Sequence, residues 1–336
     1  MIKYLFIVII SCFNVLVYNA QEYFQQKVDT YINVELDDEN HFLRGFERMV
    51  YHNYSNSNLD SIVIHLWPNA YKNSSTELAK QKYEDGSNQF KYASKNELGF
   101  IDSLDFKING SEIGWNFLNG KIDICVIHLI KPLQKGDSIT ITTPFRVKIP
   151  SGKFSRLGHV GQSYQVTQWF PKPAVYDKDG WHPMSYLDQG EFYSEFGNYD
   201  VSITLPKNYI LMATGDLQNE EEIDFLNEKA KLTSRLIKEN KLPVRDSFGR
   251  KDMSFPKSSL EKKTLRFVQN NVHDFAWFTD KRYHILKGEV DVNNRKITSW
   301  ALFTNNEAKL WRRSIEYIND ATRYFSKWVG EYPYNH

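Results

Sequence analysis

Tyr164-Gln-Val-Thr-Gln-Trp-Phe-Pro-Lys-Pro-Ala-Val-Tyr-Asp177 opens a block of aromatic, proline and acidic residues that extends to Leu205. The steps Phe170-Pro171 and Lys172-Pro173 favour extended backbone and remove two amide donors, so this stretch is not a helix. A rigid aromatic segment of this kind suits a loop that a scaffold presents to a ligand. It equally suits a plug between two layers of a core, and the residues alone leave both interpretations open.

Alternating apolar and polar residues around this block predict β-strands. A period of two runs through 28–36, 139–149 and 199–205. Asn109-Gly110 predicts a hairpin turn between a strand at 101–108 and the strand that follows it. Regularly spaced strands with turn residues between them predict a mainly β chain, built as an antiparallel sandwich.

The first 20 residues have the composition of a targeting segment. Lys3 is their only charged residue, the stretch from Tyr4 to Val17 is mostly apolar, and Ala20 precedes a polar stretch. The apolar run is short for a bilayer span. We therefore predict a signal peptide over 1–20, cleavage after Ala20, export to the periplasm or the cell exterior, and no transmembrane segment after cleavage.

Charge and cysteine content narrow the functional classes. The 336 residues include 42 Lys and Arg against 41 Asp and Glu, and loss of Lys3 with the signal peptide balances the two. The chain has no basic tract, so its charge gives no reason to expect nucleic acid as a partner. Of the two cysteines, Cys12 lies in the targeting segment. Cys125 is expected to be a small core residue without a disulfide partner.

The last third of the chain predicts a change of architecture. Residues 219–263 are expected to form a charged surface insertion that contains a helix at 220–238. Asn293-Asn294 predicts a hairpin, and the capping-box pattern Thr304-x-x-Glu307 predicts the start of a helix over 305–329. That helix has an apolar stripe, which we expect to be exposed and to promote aggregation. The stripe consists of Trp311, Ile315, Ile318, Thr322, Phe325 and Val329.

The common catalytic and metal-binding motifs are missing from the sequence. None of the nine histidines precedes Glu, and no two lie three or four positions apart, so no helix presents paired imidazoles to zinc. A Gly-rich phosphate loop and a Gly-x-Ser-x-Gly elbow are also absent. Glu191 and Glu195 would lie about 13 Å apart in a strand, too far for glycoside hydrolysis. One of these acids is better suited to binding a cationic group, such as a peptide amino terminus.

Several motifs in order give the chain a family resemblance. They occupy 65–71, 168–177, 190–197, 199–206 and 272–277. Together they resemble the aminopeptidase N family of zinc metallopeptidases, in the branch found among secreted bacterial proteins. The helix that ends at Gly330-Glu-Tyr-Pro-Tyr334 looks like the first helix of that family's catalytic domain.

The resemblance implies a fold and an activity. It implies an antiparallel, saddle-like β-sandwich domain over 21–282, followed at 283–336 by the truncated start, a hairpin plus a helix, of an α/β thermolysin-like catalytic domain. In the full-length family, zinc activates a water that attacks a peptide substrate, with a helix Glu as general base. The His-Glu-x-x-His and Gly-x-Met-Glu-Asn motifs of that domain are absent from these 336 residues. We therefore assign no catalytic residue, metal ligand or cofactor to this chain and expect it to be inactive alone.

The resemblance also assigns substrate binding to Gln168, Trp169 and Glu191. Many members have Gln-x-Glu in this segment, and the Glu binds the amino terminus of the substrate. Here Phe170 stands in place of that acid, and Glu191 is the candidate to replace it. The alternative to a peptidase is a non-catalytic secreted β-sandwich module that uses the aromatic block to bind peptide or carbohydrate.

Overall fold

The computed structural model describes residues 23–245 and 251–336. The predicted signal peptide, its cleavage after Ala20 and Cys12 lie outside the described residues. Among the helices of the described part, none is long and apolar enough to cross a membrane.

Strands dominate the described residues. In chain order they are β1 (Lys27–Asp37), β2 (Phe42–His52), β3 (Leu59–His65), β4 (Phe100–Asp102), β5 (Lys107–Ile108), β6 (Ser111–Glu112), β7 (Trp115–Leu118), β8 (Lys121–Leu133), β9 (Ser138–Lys148), β10 (Gly158–Val160), β11 (Ser163–Val166), β12 (Lys172–Pro173), β13 (Tyr176–Asp177), β14 (Gly180–Trp181), β15 (Gly197–Pro206), β16 (Ile210–Ala213), β17 (Asp216–Leu217), β18 (Lys262–Val272), β19 (Trp277–Asp280), β20 (His284–Val292) and β21 (Arg295–Phe303). The helices are α1 (Glu77–Glu84), α2 (Glu220–Lys238), α3 (Ala308–Trp311) and α4 (Ser314–Trp328), with a 3₁₀ helix at Trp67–Tyr71.

A nine-stranded sheet forms one layer of the fold. Its order is β17-β18-β15-β1-β2-β9-β5-β6, with β4 paired to β9. Two four-stranded sheets, β10-β11-β19-β16 and β12-β3-β8-β7, contribute side chains to the same apolar core. Ile32 and Val34 of β1 are buried, whereas their neighbours Tyr31 and Glu35 are exposed, as the alternating pattern predicts. The mainly β, antiparallel sandwich is confirmed.

One pairing in the large sheet is parallel. β1 and β15 run in the same direction, with Ile32 opposite Val201. The approach is close at Gly197, where a Cβ atom would lie 1.7 Å from the carbonyl oxygen of Val28. Alternation within a strand carries no information about the direction of its neighbour, so the sequence did not predict this parallel pair.

Two of the predicted elements are interrupted. The single strand predicted over 101–108 is wrong, because Ser103 has a left-handed backbone (φ 60°) that separates β4 from β5. The helix predicted over 305–329 is divided at residues 312–313 into α3 and α4. In the turn before α3, the Thr304 amide and hydroxyl both donate to a Glu307 carboxylate oxygen, at 3.2 and 2.5 Å. The contact expected from the capping box therefore forms in this turn.

The helix predicted at 220–238 and the core position predicted for Cys125 are confirmed. α2 occupies the predicted span of 220–238, with glutamates in its first turn and Arg235 and Lys238 in its last, which complements the helix dipole. The inner face of α2 buries Leu226 and Ala230 against Ile285, so this helix is half-buried rather than fully solvated. Cys125 is fully buried, and burial raises the pKa of its thiol to about 12, which confirms a core residue.

The last two strands form a separate hairpin that carries α4. The turn uses Asn293 and Asn294 with φ of 45° and 67°, the left-handed pair that a two-residue hairpin loop requires. Ile315 and Ile318 pack against buried residues of the hairpin, including Leu286. Other large side chains of α4 and its C-terminal end are exposed; they are Tyr317, Tyr324, Phe325, Trp328 and Val329. The prediction of an exposed stripe is therefore wrong at Ile315 and Ile318, which the hairpin covers, and is confirmed at Trp311, Phe325 and Val329.

Candidate functional site

The aromatic block contributes mainly to the core. The Trp169 indole is fully buried, donates a hydrogen bond to the Phe275 carbonyl at 3.0 Å, and meets Trp277 edge-on with ring centroids 6.1 Å apart. Phe170, at the position of the acid expected from the resemblance, is also buried. Its ring lies beside a buried cation, with Lys172 Nζ 5.6 Å from the ring centroid. For these two rings the packing interpretation of the block holds.

Gln168 lies where the block turns, in a left-handed conformation with φ of 48°. Its amide nitrogen donates to Asp274 Oδ2 at 3.0 Å. Its amide oxygen Oε1 is buried and has no hydrogen-bond partner among the described residues. A non-glycine residue in this conformation carries about 1–3 kcal/mol of strain, and such residues concentrate at functional sites. Gln168 therefore offers one uncommitted acceptor from a fixed backbone.

Asp274 connects Gln168 to a buried cation. Its Oδ1 lies 2.8 Å from Lys172 Nζ, and the same oxygen accepts the Phe275 amide at 2.8 Å. The Lys172 side chain is 5% exposed, and its ammonium also contacts Ser194 Oγ at 3.3 Å. The pair joins two segments about a hundred residues apart in sequence, which is why spacing alone did not reveal it. We refer to Gln168, Lys172 and Asp274 as the polar cluster.

Two further buried titratable groups face Lys172. Glu47 on β2 is fully buried with no hydrogen-bond partner among the described residues, and burial raises the pKa of its carboxyl well above the usual range. His65 on β3 accepts the Met184 amide at 3.1 Å. Burial, and then the charge of Lys172, lower the pKa of its imidazole to about 3. His65 is therefore neutral near pH 7, and Lys172 forms an ion pair with Asp274.

The two acids of 190–197 occupy different environments. Glu191 is exposed, whereas Glu195 is 5% exposed and accepts the Tyr176 amide at 3.2 Å through Oε1. The structure does not place them in one strand, because the chain is irregular from residue 182 to 196. Burial, and then the nearby charge of Asp177, raise the pKa of Glu195 to about 7. The sequence indicates Glu195 only as one of a pair of acids, because its burial and its contact with the Tyr176 amide depend on residues brought together by the fold.

The last residues of the chain lie beside β17, the end of β18 and β21. Tyr334 donates its hydroxyl to the Asn271 carbonyl at 2.9 Å, and the Thr298 amide donates to the Asn335 carbonyl at 2.8 Å. His336 Nδ1 lies 2.9 Å from Asp216 Oδ1. Asn271 precedes Asp274 by three residues, so the segment from 331 to 336 runs next to the strand end that leads into the polar cluster.

Of the three predicted binding residues, Gln168 is half-buried with a free acceptor, Trp169 is enclosed beneath it, and Glu191 is on the surface. Lys172 and Asp274 complete a site that the motif comparison did not assign. Within the two described ranges, no group of three or more His, Cys, Asp or Glu side chains is arranged to hold a metal ion. The polar cluster is thus an arrangement for hydrogen bonding and charge, and the substrate-binding roles remain predictions.

Comparison with solved structures identifies the fold. An M1 zinc metallopeptidase from Deinococcus radiodurans is 12% identical with a TM-score of 0.52, over 93% of this chain and 55% of that one. A variant of an M1 zinc metallopeptidase from the same organism, bound to a Tyr-Ser-Ala substrate, is 11% identical with a TM-score of 0.52, over the same shares of the two chains. A two-domain M1 zinc metallopeptidase variant bound to L-tryptophan is 13% identical with a TM-score of 0.51, over 94% of this chain and 56% of that one.

At this level of identity the likeness shows the fold alone. The chain spans about 55% of the length of these structures. Neither a protein-family model nor a curated protein sequence matches it.

Proposed function

We propose that this chain is the N-terminal part of an exported, zinc-dependent aminopeptidase. In this proposal residues 21–282 are its β-domain, with the charged insertion 219–263, and residues 283–336 are the start of its catalytic domain. The observation that carries the proposal is the likeness in fold to M1 zinc metallopeptidases over 93% of this chain. The aromatic block and the helix before Gly330 support it through their motifs.

The polar cluster would receive the amino terminus of the peptide. An ammonium group needs acceptors, and Gln168 Oε1 is a buried acceptor without a partner in the described part of the chain. Asp274 holds the Gln168 amide by its nitrogen, which directs Oε1 away from the carboxylate. Trp169, tied to Phe275 next to Asp274, would position Gln168 through the backbone rather than touch the substrate. Glu191, exposed on its loop, would add a charge-assisted hydrogen bond.

Zinc and the general base would come from the catalytic domain. A zinc ion in such a domain supplies an activated water for attack on the peptide carbonyl. The 336 residues contain no His-Glu-x-x-His motif, and no described cluster fits a metal, so no step is assigned to residues of this chain beyond binding and orienting the substrate.

The test is to express the whole reading frame that contains this chain and to measure zinc content and hydrolysis of aminoacyl-p-nitroanilides. We expect one zinc per molecule and turnover. A reading frame without His-Glu-x-x-His, whose product binds no zinc and releases no nitroaniline, would contradict the peptidase proposal.

Variants of that enzyme then test the binding roles. Loss of a hydrogen bond to a charged group costs about 1.5–3 kcal/mol, so Gln168→Leu is expected to raise KM about tenfold to hundredfold. Glu191→Gln should raise KM less, because Glu191 is exposed. Gln134→Leu, at an exposed glutamine on the loop after β8, serves as the matched control with unchanged KM. Unchanged KM in Gln168→Leu would contradict the role of Gln168 while leaving the peptidase activity itself established.

A further inference from the structure

A cavity of about 220 Å³ lies at the start of the described chain, between the segment before β1 and residues around the β13–β14 hairpin. It shares no lining residue with the polar cluster, and it is partly open to solvent, since Tyr23 in its wall is 85% exposed. Aromatic rings form much of its wall, from Tyr23, Phe24, Tyr176 and Tyr193. The Phe24 and Tyr176 ring centroids are 6.4 Å apart. The polar residues lining it are Gln25, Asp177, Lys178 and Glu195.

The Glu195 carboxylate is the buried acid of this cavity. One of its oxygens, Oε1, accepts the Tyr176 amide at 3.2 Å, and this is the hydrogen bond found for the carboxylate within residues 23–245 and 251–336. Both carboxylate oxygens of Asp177 have hydrogen-bond partners. His182 Nε2 lies 2.7 Å from Oδ1, and the Tyr193 hydroxyl lies 3.3 Å from Oδ2. Glu195 thus brings an acceptor oxygen into an aromatic chamber that a second acid borders.

No cation among the described residues pairs with Glu195. The ammonium of Lys178, which lines the cavity, is bound to Asp179 at 2.8 Å instead. His182 is bound to Asp177. Burial and the Asp177 charge accordingly raise the pKa of Glu195 to about 7. A positively charged ligand stabilises the ionised form of such a buried carboxyl. It therefore opposes both the burial and the Asp177 charge, which raise the pKa.

We propose that this cavity binds a small organic cation of the alkylammonium class. The charged head would bond Glu195 Oε2 and lie against the faces of Tyr176 and Tyr193, as carboxylates and aromatic rings together bind ammonium groups. The volume of about 220 Å³ admits a charged head group with a short alkyl body. Because the acids Asp177 and Glu195 both line the cavity, its charge disfavours an anionic ligand. The proposal stands independently of the peptidase function.

Binding should be coupled to a proton. Only ionised Glu195 attracts a cation, and with a pKa of about 7 its ionised share rises from about one tenth at pH 6 to about nine tenths at pH 8. The association constant for an alkylammonium should therefore rise about tenfold over this range, with release of a proton below pH 7. The other titratable and charged groups facing Glu195 are Tyr23, Tyr51, Tyr176, Asp177 with His182, Lys178 and Tyr193.

The experiment is calorimetric titration of the full chain with n-butylammonium chloride at pH 6 and pH 8, with n-butanol as the uncharged probe. We expect saturable binding of the amine, about tenfold tighter at pH 8, and none of the alcohol. Glu195→Gln keeps the shape of the side chain and should weaken binding at pH 8 at least tenfold and remove the pH dependence. Tyr193→Leu should weaken it less, and Glu228→Gln, at an exposed acid on α2, should leave it unchanged.

Several outcomes would overturn the proposal. They are absence of amine binding at pH 8, equal binding of butanol, and Glu195→Gln with wild-type affinity. His182→Gln is the second variant, because it leaves Glu195 in place; a pH dependence that disappears in His182→Gln but persists in Glu195→Gln would assign the proton to the imidazole and also overturn the role of Glu195. None of these measurements involves hydrolysis, so their failure is distinguishable from failure of the peptidase proposal.

Discussion

The aromatic block and the C-terminal helix α4 are both rich in large rings, but their tryptophans differ in exposure to solvent. In the block, Trp169 is 0% exposed and its indole nitrogen has a carbonyl partner. On α4, Trp328 is 73% exposed and packs against Tyr324 with ring centroids 5.1 Å apart. The β-sandwich closes over its own rings, whereas the final hairpin and helix bury one side of the helix and leave the other open.

The difference shows that composition alone does not mark a binding surface. The block looks like a ligand surface in sequence because its rings are dense, but a second layer covers most of them. The uncommitted polar group there is Gln168 Oε1, and of the rings of the block Tyr176 and Tyr193 line the cavity beside Glu195. On α4 four rings are exposed, of which only Phe325 belongs to the predicted stripe, because a single hairpin covers one side of the helix and leaves the other open.

The largest expected effect is the difference in stability loss between two tryptophan variants. Trp169→Ala should destabilise the chain by about 3–5 kcal/mol, since a buried ring is lost and a cavity remains. Trp328→Ala should change stability by about 0.5 kcal/mol or less, since the ring is largely solvated. Urea unfolding of the two variants measures both values. Similar losses in the two variants would contradict the contrast between a closed and an open region.

A pair of lysines tests whether the block depends on its buried charge. Lys172→Met should cost about 3 kcal/mol, because the Asp274 carboxylate loses its cation in a site that is largely closed to water. Lys231→Met is the matched control; it breaks an exposed pair with Glu228 and should cost less than about 1 kcal/mol. Urea unfolding again gives the two free energies. Lys172→Met combined with Asp274→Asn should recover part of the loss, and no recovery would mean that the ammonium acts through other contacts.

The smallest effect on stability belongs to the open face of α4. Replacing Phe325 and Trp328 with glutamate should reduce self-association, because it removes exposed apolar area. The free energy of unfolding should change by only about 0.5 kcal/mol per substitution. Sedimentation velocity over a range of concentrations measures the association. A variant that associates as strongly as the original chain would show that this face is not the source of aggregation.

Much of the local structure was predictable because it depends on neighbouring residues. The strands at 28–36, 139–149 and 199–205, helix α2 and the Asn293-Asn294 hairpin follow from periodicity and turn chemistry. The break at Ser103 was not predictable, because β4 and β5 both pair with β9 at separate points and the chain between them adjusts to that strand. At the candidate site, Gln168 was identified from its motif, whereas its contact with Asp274 spans 106 residues.

By itself the sequence determined the class of fold, the strands at 28–36, 139–149 and 199–205, helix α2 and the segment that contains Gln168 and Lys172, because each depends on periodicity, turn residues or a local motif. Only the tertiary structure decided that β15 joins β1 in parallel, that Lys172 pairs with Asp274, and that Glu195 faces an aromatic cavity. These three features bring together residues that are far apart in the chain. Their energies come from desolvation and contact, which exist only once the layers have closed.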